Sequence, residues 1–333
     1  MFRRGMMPFV LTLIVFANAR QLHAQARTPI ANPLAEPSYT VIPYSVPSSL
    51  HDRNVTSLWG HPDIDPPRAP PGWFVGLQVN IVGPAIMQHV FGQVARGVDT
   101  VNVVLPSAAL SWVGSPQLEL GYRFPDAMGE LVVNYRLLAT RGDSVFPGFD
   151  PAGAATLRSR LDANVTFVDY SSREFSLWPL CDMKAHVGVS LPSIYFDSHA
   201  FGTLREARFS SYYFGAGPHL GFDFWRQTPL PGLELYARTG MSLTVGWLQQ
   251  RFEESLASPG LPTTRGFSDL RIVREVPMAN LQAGVSYTPP VASQQLRLVA
   301  GYTLERWWYL AQTDDSRGEL TVQGLFLRAE WRY

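Results

Sequence analysis

The residues that could do chemistry are few. His219 and Asp223 stand four apart in YYFGAGPHLGFDF, and in an extended chain that spacing puts both side chains on one face. His186 occupies a second strand-like run, KAHVGVSL, and Ser190 and Ser211 lie nearby in sequence. Together they offer the parts of a serine hydrolase, in which a carboxylate steers a histidine base. The G-x-S-x-G elbow that would present such a serine is missing. Histidine facing carboxylate is also ordinary structural pairing, so the expectation is a chain that is not an enzyme. His51, His61, His89 and His199 have no metal-ligand spacing, and no metal or cofactor is expected. Arg141-Gly142-Asp143 matches an adhesion tripeptide, but three residues recur by chance. Gly215-Ala216-Gly217 lacks the strand-to-helix setting of a nucleotide loop and reads as close packing.

A larger set of polar residues alternates with apolar ones. Its acids are Glu119, Glu130, Asp162, Asp223, Glu234, Glu305 and Glu330; its bases are Arg123, Arg136, Arg158, Arg160, Lys184, Arg238, Arg297, Arg328 and Arg332. If these face one enclosed space, each must pair or hydrate, because an unpaired buried charge costs several kcal/mol. Two readings follow: a cross-strand ion-pair network filling the space, or an arginine-lined constriction with mild anion preference.

The elements that carry these residues are strands. QLELGYRF sets Leu118, Leu120, Tyr122 and Phe124 opposite Gln117, Glu119, Gly121 and Arg123. GELVVNYRL repeats the pattern. LRSRLDANVTF does so again, with Leu157, Leu161, Ala163, Val165 and Phe167 against Arg158, Arg160, Asp162, Asn164 and Thr166. From WFVGLQVNI at residue 73 to GLFLRAEWRY at the end, about ten such runs occur, each near the 9–11 residues of a membrane-crossing strand. The stretch 101–113 reads either as a strand extension or as loop. Connections tend to alternate short (FPDAMG, RQTPLPG, TPPVASQ) and long (141–156, 250–270), as in bacterial membrane barrels.

The bulk composition agrees. Charged residues make up 16% of the 333-residue chain, against roughly 25% in soluble domains. The formal net charge is zero and Lys184 is the only lysine, so nucleic acid is not an expected partner. A single cysteine, Cys181, excludes an internal disulfide. Residues 1–26 have the basic start, short apolar run and Ala24-Gln25-Ala26 ending of a cleaved secretory signal. Residues 27–71 are proline-rich and read as an extended periplasmic lead-in. Trp73, Tyr122, Tyr135, Trp307, Trp308, Trp331 and Tyr333 gather near strand ends, as an interfacial aromatic girdle would.

The sequence thus predicts an all-β, antiparallel transmembrane β-barrel of about ten strands, within 8–12, over residues 72–333. It should have short periplasmic turns and longer outer loops, in the outer membrane of a diderm bacterium. Leu325, Leu327, Ala329, Trp331 and Tyr333 form the apolar face of a C-terminal assembly signal read by the barrel-assembly machinery. Outer-membrane lipid is the expected partner, with a surface partner on the outer loops as the alternative role. The stretches SRLDANVTFVDYSSREFSL, FGAGPHLGFDF, GYTLERWWYL and LTVQGLFLRAEWRY resemble segments of planctomycete outer-membrane barrel proteins. Those are similar to the porin-like major outer-membrane protein family first described in Legionella. The resemblance implies an outer-membrane barrel and a pore, and brings no catalytic residues.

Overall fold

A computed structural model describes residues 71–332, apart from 88–89, 97–98, 106, 126–127, 179, 258–263, 290–295 and 314–315. The signal, nearly all of the lead-in and Tyr333 lie outside the described residues. The elements are β1 (Gly72–Met87), β2 (Val90–Arg96), β3 (Asp99–Leu105), β4 (Val113–Arg123), β5 (Glu130–Asp150), β6 (Gly153–Ser171) and β7 (Phe175–Trp178). They continue with β8 (Cys181–Phe201), β9 (Arg205–Gln227), β10 (Leu233–Leu256), β11 (Thr264–Tyr287), β12 (Leu296–Thr313) and β13 (Ser316–Arg332).

Ten of these strands close into an antiparallel barrel. The order runs β6-β5-β4-β1-β13-β12-β11-β10-β9-β8, and β8 pairs back onto β6. The ten strands expected from the alternation are the ten found. β2 and β3 form a separate hairpin between β1 and β4, so residues 101–105 of the ambiguous stretch belong to that hairpin and not to the wall. β7 is a short strip on the end of β8. The first and last strands meet with Phe74 opposite Arg332, which puts both ends of the barrel chain at one rim.

Alternation sets the two faces of each strand. Leu77, Leu325 and Leu327 are about 60% exposed on the outside, while Gln78 between two such residues is 3% exposed. In water that pattern would be untenable; against acyl chains the outward leucines are solvated and the inward polar groups find one another. Aromatic residues mark the lower edge of this belt, Trp73 lying edge-on to Tyr122 at 5.1 Å. Phe74 fills the inside of the same rim. Its ring covers Gly121, where a Cβ would lie 2.1 Å from the ring.

The polarity then inverts along the strands. On the outside, Leu137 of β5 is followed by Arg141 and Asp143, and Trp247 of β10 by Gln249 and Arg251. On the inside the change comes within one step of two residues: Asn80 to Val82, Arg136 to Leu138, Asn280 to Met278, Glu305 to Trp307. Above this level the barrel is built as a soluble one, apolar within and polar without. Much of the long outer connections is therefore paired strand: β5 and β6 keep one register up to Phe146 opposite Ala155 and, after a shift, pair again at Asp150 opposite Gly153.

Candidate functional site: a charged chamber beneath an apolar plug

The periplasmic half of the bore holds a charged chamber. Glu119 on β4 is its hub. Its carboxylate accepts from Arg328 on β13 at 2.6 Å and from Asn134 on β5 at 3.3 Å, and lies 3.7 Å from Arg238 on β10. Arg238 also grips Asp223 on the neighbouring β9 with two bonds of 2.5 and 2.7 Å. Arg136 on β5 forks onto Glu305 of β12, which also accepts from Trp307 Nε1 at 2.5 Å. Glu130 takes both Arg123 and Lys184, and Arg297 lies 3.6 Å from Glu234.

Position in the ring decides what these pairs do. β4 and β10 stand on opposite sides of the ten-strand ring, and β5 and β12 four strands apart. The pairs Glu119–Arg238 and Arg136–Glu305 therefore tie opposing walls and bar the bore. A bidentate guanidinium–carboxylate fork fixes both partners in orientation as well as distance. Around these bars, side-chain polar atoms of Gln78, Tyr236, Ser242, Asn280 and Gln282 are buried without a protein partner. Polar atoms of that kind, facing a polar space, are sites for ordered water.

Above the chamber the bore is packed. Leu138, Leu161, Val165, Leu248, Val276, Met278 and Trp307 are each 1% exposed or less and belong to one apolar cluster. The chain between β3 and β4 adds to this plug. Ala108 is buried in the cluster and its amide donates to Ser159 Oγ at 2.8 Å. Ser111 is held to β5 by its amide on the Arg141 carbonyl and by Thr140 Oγ1 donating to its own carbonyl. Gly142 lies where this segment passes, and a Cβ there would be 2.0 Å from the Ala109 carbonyl oxygen. The glycine of the Arg-Gly-Asp triplet is thus used for close approach, and Asp143 is paired with Arg158 at 2.9 Å.

The structure corrects part of the charge assignment. Glu119, Glu130, Arg136, Asp223, Glu234, Arg238, Arg297, Glu305, Arg328 and Glu330 sit on inner faces, with Lys184, and Arg123 is at the rim bonded to Glu130. Arg158, Arg160 and Asp162 do not. They lie on the outer face of β6, with Arg158 and Arg160 about half exposed or more, and Asn164 shares that face. The cause is the inversion of polarity: the apolar residues of this strand, Leu157 to Phe167, pack inward where the wall has left the bilayer. Asp169, Ser171, His186 and His219 are chamber residues that the strand pattern does not mark as one charged set. The strand inner faces of the chamber then carry seven acids, with Asp169 in place of Asp162, and six Arg and Lys residues, the Arg332 side chain lying outside the described ones. The excess of bases, and with it the basis for anion preference, is absent among the described residues.

His219 and Asp223 do not meet. His219 Nδ1 pairs with Asp169 at 2.9 Å, and Asp223 is taken by Arg238 and His186. A different trio forms instead: Ser171 Oγ is 2.6 Å from His186 Nδ1, and His186 Nε2 is 2.8 Å from Asp223. That second contact lacks hydrogen-bond alignment, Ser171 is fully buried, and Asp223 is already neutralised by a guanidinium. The amide next to Ser171, that of Ser172, donates to the Ala185 carbonyl. The trio holds β6, β8 and β9 together. His199, on the outer face of β8, pairs with Glu206, and no group able to hold a metal ion occurs among the described residues.

The outward face of the last strand carries Leu325, Leu327, Ala329 and Trp331, all directed at the lipid belt.

The sequence model of the Legionella pneumophila major outer membrane protein precursor matches residues 67–333. No curated protein matches the chain. Among solved structures, the Pseudomonas putida toluene transporter TodX aligns at 11% identity and TM-score 0.34, over 80% of this chain and 91% of that one. The translocator domain of the autotransporter NalP from Neisseria meningitidis aligns at 13% and 0.36, over 80% and 90%. A loop-deletion form of OmpT from Vibrio cholerae aligns at 8% and 0.19, over 79% and 99%. Likenesses this distant say nothing about what this chain carries.

Proposed function

The chain belongs to the family of the Legionella pneumophila major outer membrane protein, and from that premise we propose that it is a porin-like barrel of very low conductance whose work is chiefly structural. The observation that supports this reading is the double closure of the bore, by the bars Glu119–Arg238 and Arg136–Glu305 below and the apolar cluster above. Ten strands enclose little more than their own side chains, whereas water-filled porins use about 16. Small polar solutes and water entering from the periplasmic rim would have to pass Phe74 to reach the charged chamber, and the apolar plug opposes their passage outward. With acids at least equal to Arg and Lys in the chamber, any current has no anion preference and leans toward cations. Export by the N-terminal signal and insertion through the C-terminal strand complete the proposal, as does the absence of a hydrolytic step at Ser171.

Single-channel recording in a planar bilayer tests it. The refolded barrel, shown folded by heat-modifiable gel mobility, should give steps well below those of a 16-stranded porin, with cation selectivity. Large steps of porin size, or anion selectivity, would overturn the reading. The alternative role, a surface interaction carried by the long outer connections, draws support from how firmly they are built. Asp150 in the β5–β6 connection accepts from the Leu204 amide of the β8–β9 connection at 2.9 Å, and Arg205 donates to the Phe149 carbonyl at 3.2 Å.

A further inference from the structure

The barrel wall is incomplete on one side. The ladder between β11 and β12 begins at Tyr287 opposite Leu298 and stops at Met278 opposite Trp307. Beyond that point β11 continues to Thr264, in register with β10. β12 continues to Thr313, in register with β13, after a shift between Trp307 and Ala311. Within that shift Tyr309 has φ of +63°, a left-handed conformation that side chains other than glycine adopt at a cost. The two strands part at Met278 and Trp307, and the outward pair Trp247 and Val273 lies farther along, so the gap starts within the apolar outer belt.

Ile272 on β11 and Leu310 on β12 flank the gap, both half-buried against the apolar cluster. Behind Leu310 is a narrow cavity lined chiefly by Ile86, Leu161, Ile194, Phe196 and Leu320. Its polar neighbours are already engaged. Tyr213 is bonded to Thr244 at 2.8 Å, Glu319 to Arg306, and Ser211 points its hydroxyl at the Leu310 carbonyl at 3.5 Å. At the mouth Arg274 of β11 lies over the Tyr309 ring of β12 at 5.4 Å, and behind Leu310 a guest would meet aliphatic and aromatic walls whose polar neighbours are already bonded. β2 of the separate hairpin runs alongside β11, β12 and β13, over this side of the barrel.

We propose that the gap between β11 and β12 admits an alkyl chain, which seats in the apolar cavity behind Leu310 and leaves its polar end outside the wall. The shape selects a chain over a bulky ring system, and the engaged polar groups select an uncharged, hydrogen-bond-free guest. Two sources share this chemistry: the acyl chain of an outer-leaflet lipid, and a free alkyl compound arriving from outside. The inference goes beyond the porin-like reading, and it stands or falls without a conductance measurement.

Photo-cross-linking tests it on the refolded full-length barrel in vesicles. One arm uses a phosphatidylcholine with a diazirine in mid-chain, the other a diazirine-bearing decanol added to unlabelled vesicles, with labelled residues mapped by peptide mass spectrometry. Labels are expected on Leu310 and on Ile194 or Phe196. Ile194→Trp, which fills the cavity, should lower inner labelling about tenfold while leaving belt residues such as Leu281 and Leu325 as before. If that variant does not refold, Leu310→Trp blocks the mouth instead and should do the same. Inner labels in the lipid arm assign the lipid as source; inner labels with the alcohol alone assign a free compound. Labels confined to belt residues in both arms, or inner labels indifferent to the filling variants, would overturn the proposal.

Discussion

Arg136 illustrates how a single residue can hold a barrel closed. Its guanidinium is buried, forks onto Glu305 from across the bore, and meets no other counter-charge among the described residues. Removing it leaves a carboxylate buried and uncompensated, which costs about 3–5 kcal/mol in comparable pairs. Arg136→Ala should therefore lower urea stability in lipid vesicles by roughly that amount, whereas Arg158→Ala should change it by less than about 1 kcal/mol, because that pair is exposed to water. Equal losses would mean that the bar contributes no more than a surface pair. Asp150 gives the corresponding pH argument outside the membrane. The Ala152 amide, with further amides of the β8–β9 connection, holds its carboxyl below the usual carboxylate range. A depressed folded value means the contribution is complete above the unfolded value of about 3.9 and is lost as pH falls through the folded one. Amide exchange at Ala152 and Leu204, corrected for intrinsic rate, should rise on acidification through that window. In Asp150→Asn the step should vanish; a step that persists would assign it to another group.

At the scale of the element, each long strand carries two opposite amphipathic codes joined end to end. β5 shows Leu131, Val133, Tyr135 and Leu137 to lipid, then Arg141 and Asp143 to water, without any change of parity. The backbone does not respond to the switch because side-chain direction depends only on position in the pleat. The geometry of β12 breaks at the shift beside Tyr309, as the β5–β6 ladder does between Phe146 and Asp150. Arg274 lies over the Tyr309 ring, its guanidinium carbon 5.4 Å from the centroid. Tyr309→Gly relieves the left-handed strain of about 1–2 kcal/mol and gives up a cation–π contact of about 0.5–1 kcal/mol. The net expectation is unchanged or slightly raised stability in urea. A clear loss would show that the ring, and not the backbone it distorts, is what the position needs.

For the molecule as a whole, the two halves divide the work. The lower half meets the bilayer, with each wall strand paired to its neighbours and apolar side chains on the outside. The upper half packs its interior like a soluble core and ties its connections together through Asp150 and Arg205. Conductance belongs to this scale, because no single residue is the barrier. Breaking one ion-pair bar should leave the current near its original value while the apolar plug stands. Recording from Arg136→Ala tests that: porin-sized steps from this variant alone would make the charged layer the true seal.

Much was legible beforehand. Period-two alternation fixes which residues share a face, and strand length with turn spacing fixes roughly how many strands there are. Those quantities are local, and the ten-strand barrel followed from them. Alternation is silent about which face is inside. Leu157 to Phe167 and Leu131 to Leu137 are the same pattern to a reader, yet one set packs the core of the crown and the other meets lipid. The choice depends on how far along the barrel axis each residue sits relative to the bilayer, which only the closed ladder determines. Likewise no spacing announces that Arg136 meets Glu305, 169 residues away, or that Asp223 belongs to His186 and Arg238 and His219 to Asp169. Those partners come from the order of strands around the ring and the stagger between them. The sequence by itself determined a membrane barrel with a polar set of residues; tertiary structure decided that the set bars its own lumen, because closure of the ring is what brings opposite walls within reach.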